Sequence, residues 1–267
     1  MFQYGSMSER QTVPVLDAMI DVVDWDAALE RLIAWAQGHE SRYVCICNVH
    51  SVVTAAQDAE FGRVVNEADM ATADGAPVAW MLRRLGHAGQ QRINGPDLMW
   101  RYCEQAQVHF EPIFFYGSSE QTLVALKVKL LAAFPALNIV GAISPPFRSL
   151  TPEEDAAIVE QIKASGTGVV FVSLGCPKQE LWMAAHRGRI HAVMIGVGAA
   201  FDYHAGTIKR APKWMQDSGL EWLHRLVFEP RRLWKRYLVT NTLFVVGATW
   251  QLLRAKKVSK KGDRRSQ

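Results

Sequence analysis

Short apolar runs alternate with amphipathic stretches between residues 24 and 197, and that alternation predicts strands and helices in turn. Residues 27–36 place apolar side chains at helical intervals after Asp24-Trp25-Asp26, where an aspartate suits the N-cap. Tyr43-Val44-Cys45-Ile46-Cys47 reads as a buried strand, followed by a helix over 51–66. A short strand over 70–73 runs into the turn Asp74-Gly75-Ala76-Pro77, which opens a helix over 78–85. The plan repeats with a strand from Ile113, the turn Gly117-Ser118-Ser119-Glu120 and a helix over 121–134. A strand over 137–141 follows, then a helix to about 164 opened by Thr151-Pro152-Glu153-Glu154, and strands over 169–174 and 192–197. Strands alternating with helices predict an α/β fold, a mostly parallel, doubly wound sheet with helices on both faces.

In such sheets ligands bind beyond the carboxyl ends of the strands. Five of these ends carry polar or glycine-bearing turns: Asn48, Asp74, Gly117-Ser118-Ser119, Gly175 with Lys178-Gln179-Glu180, and Gly198 with Asp202. They are expected to meet in one crevice.

At 267 residues and 49% hydrophobic content, the chain has material for one large core with an appendage. No positively charged start followed by an apolar segment occurs at the N-terminus, which predicts cytoplasmic residence. Cys45, Cys47, Cys103 and Cys176 show no CxxC spacing, and Cys45 and Cys47, two apart on one strand face, are expected to be reduced core residues. Charge changes the picture at residue 207. From there to the end lie 15 of the 30 Lys and Arg but only four of the 26 Asp and Glu, so this segment carries +11 and the rest −7. The expected organisation is a catalytic core over 1–206, a basic helical appendage over 207–254 and a disordered basic tail over 255–267.

The cations of the appendage are interleaved with Trp, Leu, Phe and Tyr. Such a segment suits nucleic acid, an anionic membrane or a phosphate-rich ligand. An acidic body without a recognisable nucleic-acid module argues against the first. The run over 237–253 is too short and polar to span a bilayer, which needs roughly 20 apolar residues. Peripheral attachment to the inner membrane face is the preferred reading, ahead of a merely solvated helical face.

Candidate chemistry gathers at the strand ends. Gly117-Ser118-Ser119-Glu120 offers backbone N–H groups and a helix N-terminus to a phosphate or carboxylate. Asp74 is placed either as a general base or as the cap of the next helix. His50 is read first as a packed histidine. Asp202 either orients a sugar hydroxyl or anchors the loop behind it. Gln179 is the choice for reading a base or sugar edge, with Lys178 facing solvent or a phosphate. Asp24-Trp25-Asp26 matches an Asp-x-Asp metal motif, but its place at a helix start favours capping. No G-x-G-x-x-G, Walker A sequence or His/Cys metal spacing occurs.

Taken together, four groups of segments closely resemble the WecG/TagA/CpsF family of bacterial glycosyltransferases, glycosyltransferase family 26. They are Asn66-Glu67-Ala68-Asp69 with Ala73-Asp74-Gly75; Arg92-Ile93-Asn94-Gly95-Pro96-Asp97-Leu98; Gly175-Cys176-Pro177-Lys178-Gln179-Glu180; and the run from Gly196 through Phe201-Asp202 and Arg210-Ala211-Pro212 to Gly219-Leu220-Glu221-Trp222-Leu223 and Arg225. The resemblance extends from about Val13 to Tyr237. It implies a Rossmann-like core and an inverting enzyme that needs no metal or other cofactor. Such an enzyme moves a hexose derivative from a UDP-sugar to an undecaprenyl-diphosphate-linked sugar for surface polysaccharide. On this resemblance Asp74 is the catalytic base, and Asn48 and Gln179 lie near the nucleotide-sugar. Arg225 and Arg232, with Lys235 or Arg236, meet diphosphate, and self-association is an open option. Ile46 departs from the family, whose members often carry Thr there. The alternative class is a non-catalytic nucleotide-binding protein that scaffolds or regulates a membrane assembly.

Overall fold

Six parallel strands form the central sheet in the order β4-β3-β8-β7-β5-β6. These are β3 (Arg42–Cys47), β4 (Met70–Ala73), β5 (Ile113–Gly117), β6 (Ile139–Ile143), β7 (Val169–Ser173) and β8 (Val193–Gly196). A separate antiparallel hairpin, β1 (Thr12–Val15) and β2 (Ala18–Asp21), precedes them. The computed structural model describes residues 10–263, with side chains described through 257 in the last helix.

Side chains alternate across the sheet as the pleat requires. Cys45, Cys47, Phe114, Tyr116, Val170, Val172 and Met194 enter one core, and Val44, Ile46, Phe115, Phe171, Val193 and Ile195 the other. Helices α2 (Val49–Gln57), α3 (Ala59–Glu67), α4 (Ala76–Arg84), α7 (Pro152–Ala164) and α8 (Lys178–His186) contribute to the first core, together with the hairpin. Helices α1 (Trp25–Gln37), α5 (Gly95–His109), α6 (Glu120–Ala133) and α9 (Ala200–Ala205) contribute to the second. The doubly wound α/β sheet is therefore the architecture of the chain, and all four cysteines are free, three of them buried.

The elements differ from the sequence expectation in four places. The helix over 51–66 is two helices, because Asp58 leaves helical geometry and its side chain accepts the N–H groups of Glu60 and Phe61 to start α3. The β1–β2 hairpin and α5 were not anticipated. The last helix, α12 (Pro230–Asp263), runs on past 254 where disorder was expected, and 264–267 lie outside the described residues.

Two short helices, α10 (Lys213–Asp217) and α11 (Glu221–Phe228), lead into α12. That helix lies along α2, burying Leu233, Phe244 and Ala248. Gln251 bolts it to the hairpin: the Leu16 N–H donates to its Oε1 at 2.9 Å, and its Nε2 donates to the Pro14 carbonyl at 2.6 Å. Among the described residues no helix is long and apolar enough to cross a membrane.

Candidate active site

Parallel strands put their carboxyl ends on one edge, which gathers the turns after β4, β3, β8, β7 and β5. Asp74 follows β4, and its N–H donates to the Cys47 carbonyl of neighbouring β3 at 3.0 Å. Gly75, not Asp74, occupies the N-cap of α4, and no side chain caps that helix. The capping role left open by the sequence is thus excluded, and the carboxylate is turned to other partners.

Those partners form a chain of charges. Arg92 Nη2 stands 3.5 Å from Asp74 Oδ1 and 2.6 Å from Glu221 Oε2, while Arg92 Nε donates to the Asp74 carbonyl. Arg210 reaches Glu221 Oε1 at 3.5 Å and Asp97 Oδ1 at 2.5 Å. Burial pushes the Asp74 carboxyl above the ordinary carboxylate range, Arg92 pulls it back, and the charge of Glu221 adds to the rise. With 21% of its side-chain surface open, Asp74 is crowded but reachable.

Asn48 ends β3 and caps α2, its Oδ1 accepting the N–H groups of His50 at 2.9 Å and Ser51 at 3.2 Å. Its amide N–H groups remain for other partners, and Asn48 adds a small lowering effect to the Asp74 pKa. His50 is half-buried, with Nδ1 3.4 Å from Thr54 Oγ1. Burial, and then the nearby charge of Arg236, lower its pKa to about 4, so it is neutral at physiological pH.

On the far side of β8, Gln179 is buried at the start of α8. Its Nε2 donates to Glu180 Oε1 at 2.9 Å, and its own Oε1 is buried without a partner among the described residues. A Cβ at Gly196 would come within 3.0 Å of the Gln179 amide, so the glycine makes room for it. Lys178 is exposed. Gly117 has φ +120°, and a Cβ there would meet the Ser173 carbonyl at 2.3 Å. Glycine therefore lets the chain turn close enough for the Ser118 N–H to donate to that carbonyl at 3.0 Å. Asp202, in α9, accepts from Thr207 Oγ1 at 3.3 Å and Thr122 Oγ1 at 3.5 Å, a geometry that ties the following loop to α6.

Cations close the arrangement from the appendage. Arg225 is half-buried, with its Nε lacking a partner among the described residues; burial opposes its charge, but Tyr203, Tyr237, Glu229 and Asp74 hold it. Arg236 is exposed yet within electrostatic reach of both His50 and Cys176 at the strand ends. Arg232 pairs with Glu229 one turn earlier, and Lys235 is exposed. The structure thus brings Asp74 into the electrostatic field of Arg225, sets Gln179 against β8, and leaves Arg232 and Lys235 exposed. Among the described residues no group of three or more His, Cys, Asp or Glu has the arrangement of a metal site. Ile46 packs into the second core.

The sequence reading assigned no role to Arg92, Arg210 or Glu221. All three stood in its motifs, but 129 residues separate Arg92 from Glu221 and no local pattern pairs them. Against known families, the model of the Glycosyl transferase WecG/TagA/CpsF family matches residues 13–258, from β1 into α12.

Proposed function

The chain belongs to the WecG/TagA/CpsF glycosyltransferase family, and from that premise we propose an inverting transfer of a hexose derivative from a UDP-sugar to an undecaprenyl-diphosphate-linked sugar. The donor is of the N-acetylmannosamine, N-acetylmannosaminuronic acid or glucose type, and the product is a lipid-linked unit of a surface polysaccharide. The observation that carries this reading is the Asp74 carboxyl: free of any capping role, crowded, raised in pKa, paired with Arg92 and in the electrostatic field of Arg225.

In this reading the acceptor hydroxyl oxygen attacks the anomeric carbon from the face opposite the nucleotide. The bond from that carbon to the UDP oxygen breaks, its electron pair leaves with UDP, and Asp74 takes the hydroxyl proton. A base whose pKa is lifted toward the working pH accepts that proton more readily than an ordinary carboxylate. Asn48 and Arg92 keep the carboxylate oriented. Arg225 and Arg236 face the negative charge that grows on the departing diphosphate, work that guanidinium groups can do without a metal ion. Gln179 presents its unpartnered Oε1 to an N–H or O–H of the nucleotide-sugar, and the turn at Gly117 and Ser118 offers backbone to it. Asp202 supports the wall through Thr122 and Thr207.

The test is UDP release by the full chain in EDTA, with a polyprenyl-diphosphate-sugar acceptor and a panel of UDP-sugars. Acceptor-dependent release with one donor is expected. UDP binding without release across donors and acceptors would favour a non-catalytic nucleotide-binding role.

A further inference from the structure

The outer stripe of α12 changes character along its length. Arg232 and Arg236 sit at the end near the strand-end crevice, with Lys235 beside them. Leu243, Val246 and Trp250 follow at spacings of seven, three and four residues from Arg236, so all lie along one side of the helix. These three are exposed, and Trp250 is stacked beneath the Arg254 guanidinium at 3.9 Å. Facing them are Val53 and Ala56 of α2 and Leu16 of the hairpin turn, which together enclose a groove of about 580 Å³.

Direction matters here. Helix α2 starts at the crevice beside Asn48 and His50, and the groove is walled by its far end, Val53 to Gln57. Arg236 is near His50 and Val246 is near Val53, so the two helices leave the crevice side by side. Fourteen residues of helix from Arg236 to Trp250 span about 21 Å. A ligand matched to both parts has an anionic head at the crevice and a long apolar chain.

We propose that the groove between α2, α12 and the β1–β2 turn holds the proximal part of the apolar chain of the lipid acceptor, leading it away from the cations that hold its diphosphate. This rests on the transferase reading for the identity of the ligand, but the groove can be tested without turnover. Water-covered Leu243, Val246 and Trp250 would gain from burial against isoprenoid, and each methylene or methyl removed from water adds to the affinity. The chain would thereby be selected for length as well as for head group.

Binding of a long-chain and a short-chain prenyl diphosphate to the full protein in detergent, measured by calorimetry, is the experiment. Ala56→Trp fills the groove from exposed α2 surface, and Val246→Ser strips apolar lining from the opposite wall. Expected is a long-chain affinity at least about tenfold above the short-chain one, cut by both variants while short-chain binding holds. Equal loss for both chain lengths, or a length preference untouched in both variants, overturns the proposal. Loss of binding to lipid vesicles free of acceptor, in step with the loss of long-chain affinity, also overturns it, because the face would then be a bilayer anchor. Should the wild type release no UDP with any acceptor yet show the groove-dependent length preference, the transferase reading fails and the groove stands.

Discussion

On the proposed function Asp74 carries the base chemistry, and opposed effects act on its carboxyl: burial raises its pKa, Arg92 lowers it, and Glu221 raises it again. Asp74→Asn keeps an oxygen for Arg92 and removes the basic one. We expect UDP-sugar affinity to be retained and kcat to fall at least about a hundredfold, as for loss of a general base; near-normal turnover would refute the assignment. Glu221→Gln is subtler. It deletes a charge that lifts Asp74 and frees Arg92, whose Nη2 is 2.6 Å from Glu221 but 3.5 Å from Asp74. Both changes lower the Asp74 pKa, so the acid limb of the kcat/KM profile moves to lower pH while the plateau drops, because a weaker base accepts the proton less well. A fall in plateau with an unmoved limb would show that Glu221 only holds structure. The places of Asp74, Asn48 and Gln179 at the strand ends, where the fold class predicts ligands, were legible in the sequence because each follows a strand or starts a helix. Arg92 and Glu221 were not, since their meaning lies in a contact made across 129 residues.

Glycine turns at strand ends show how the elements set the site. At Gly117 both the positive φ and the approach to Ser173 exclude a side chain. Gly117→Ala is expected to cost about 2 kcal/mol or more, through backbone strain and displacement of β7, seen as a lower midpoint in urea. An unchanged midpoint would mean that the β5 turn relaxes freely. Glycine and capping signals also explain which elements the sequence disclosed. Strands β3, β5, β7 and β8 announced themselves as unbroken apolar runs because both faces of the sheet are covered. The hairpin gave no such signal: its strands have four residues each, and Pro14 sits in one of them, tolerated because β1 pairs only with β2. Asp58 hid in a stretch of otherwise helical periodicity, although its backbone N–H closes α2 on the Thr54 carbonyl and its side chain begins α3. Helix α5 starts with Asn94 capping Asp97, a local signal overshadowed by the motif that contains it.

At the scale of the whole molecule the charge is divided, with −7 over the first 206 residues and +11 over the rest. The structure adds apolar surface to the positive end: Trp214, Trp222, Phe228, Trp234 and Leu238 are all exposed. An anionic bilayer would attract this end and repel the other, orienting the protein before any side chain inserts. Each Lys or Arg near such a surface contributes roughly 1 kcal/mol, an attraction that fades as the Debye length shrinks from about 10 Å at 0.1 M salt to about 3 Å at 1 M. Full-length protein is therefore expected to sediment with anionic vesicles at low salt, more weakly with neutral ones, and to be partly released by salt while apolar burial retains the remainder. Deletion of 221–267 should abolish vesicle binding and UDP release together, since Glu221, Arg225 and Arg236 leave with the apolar face. It should also lower thermal stability, because Leu233, Phe244 and Ala248 are buried against the core. Vesicle binding that ignores both lipid charge and salt would assign attachment to the apolar face alone. No sedimentation under any condition would leave the exposed aromatic residues without a membrane role and count against a membrane-embedded acceptor.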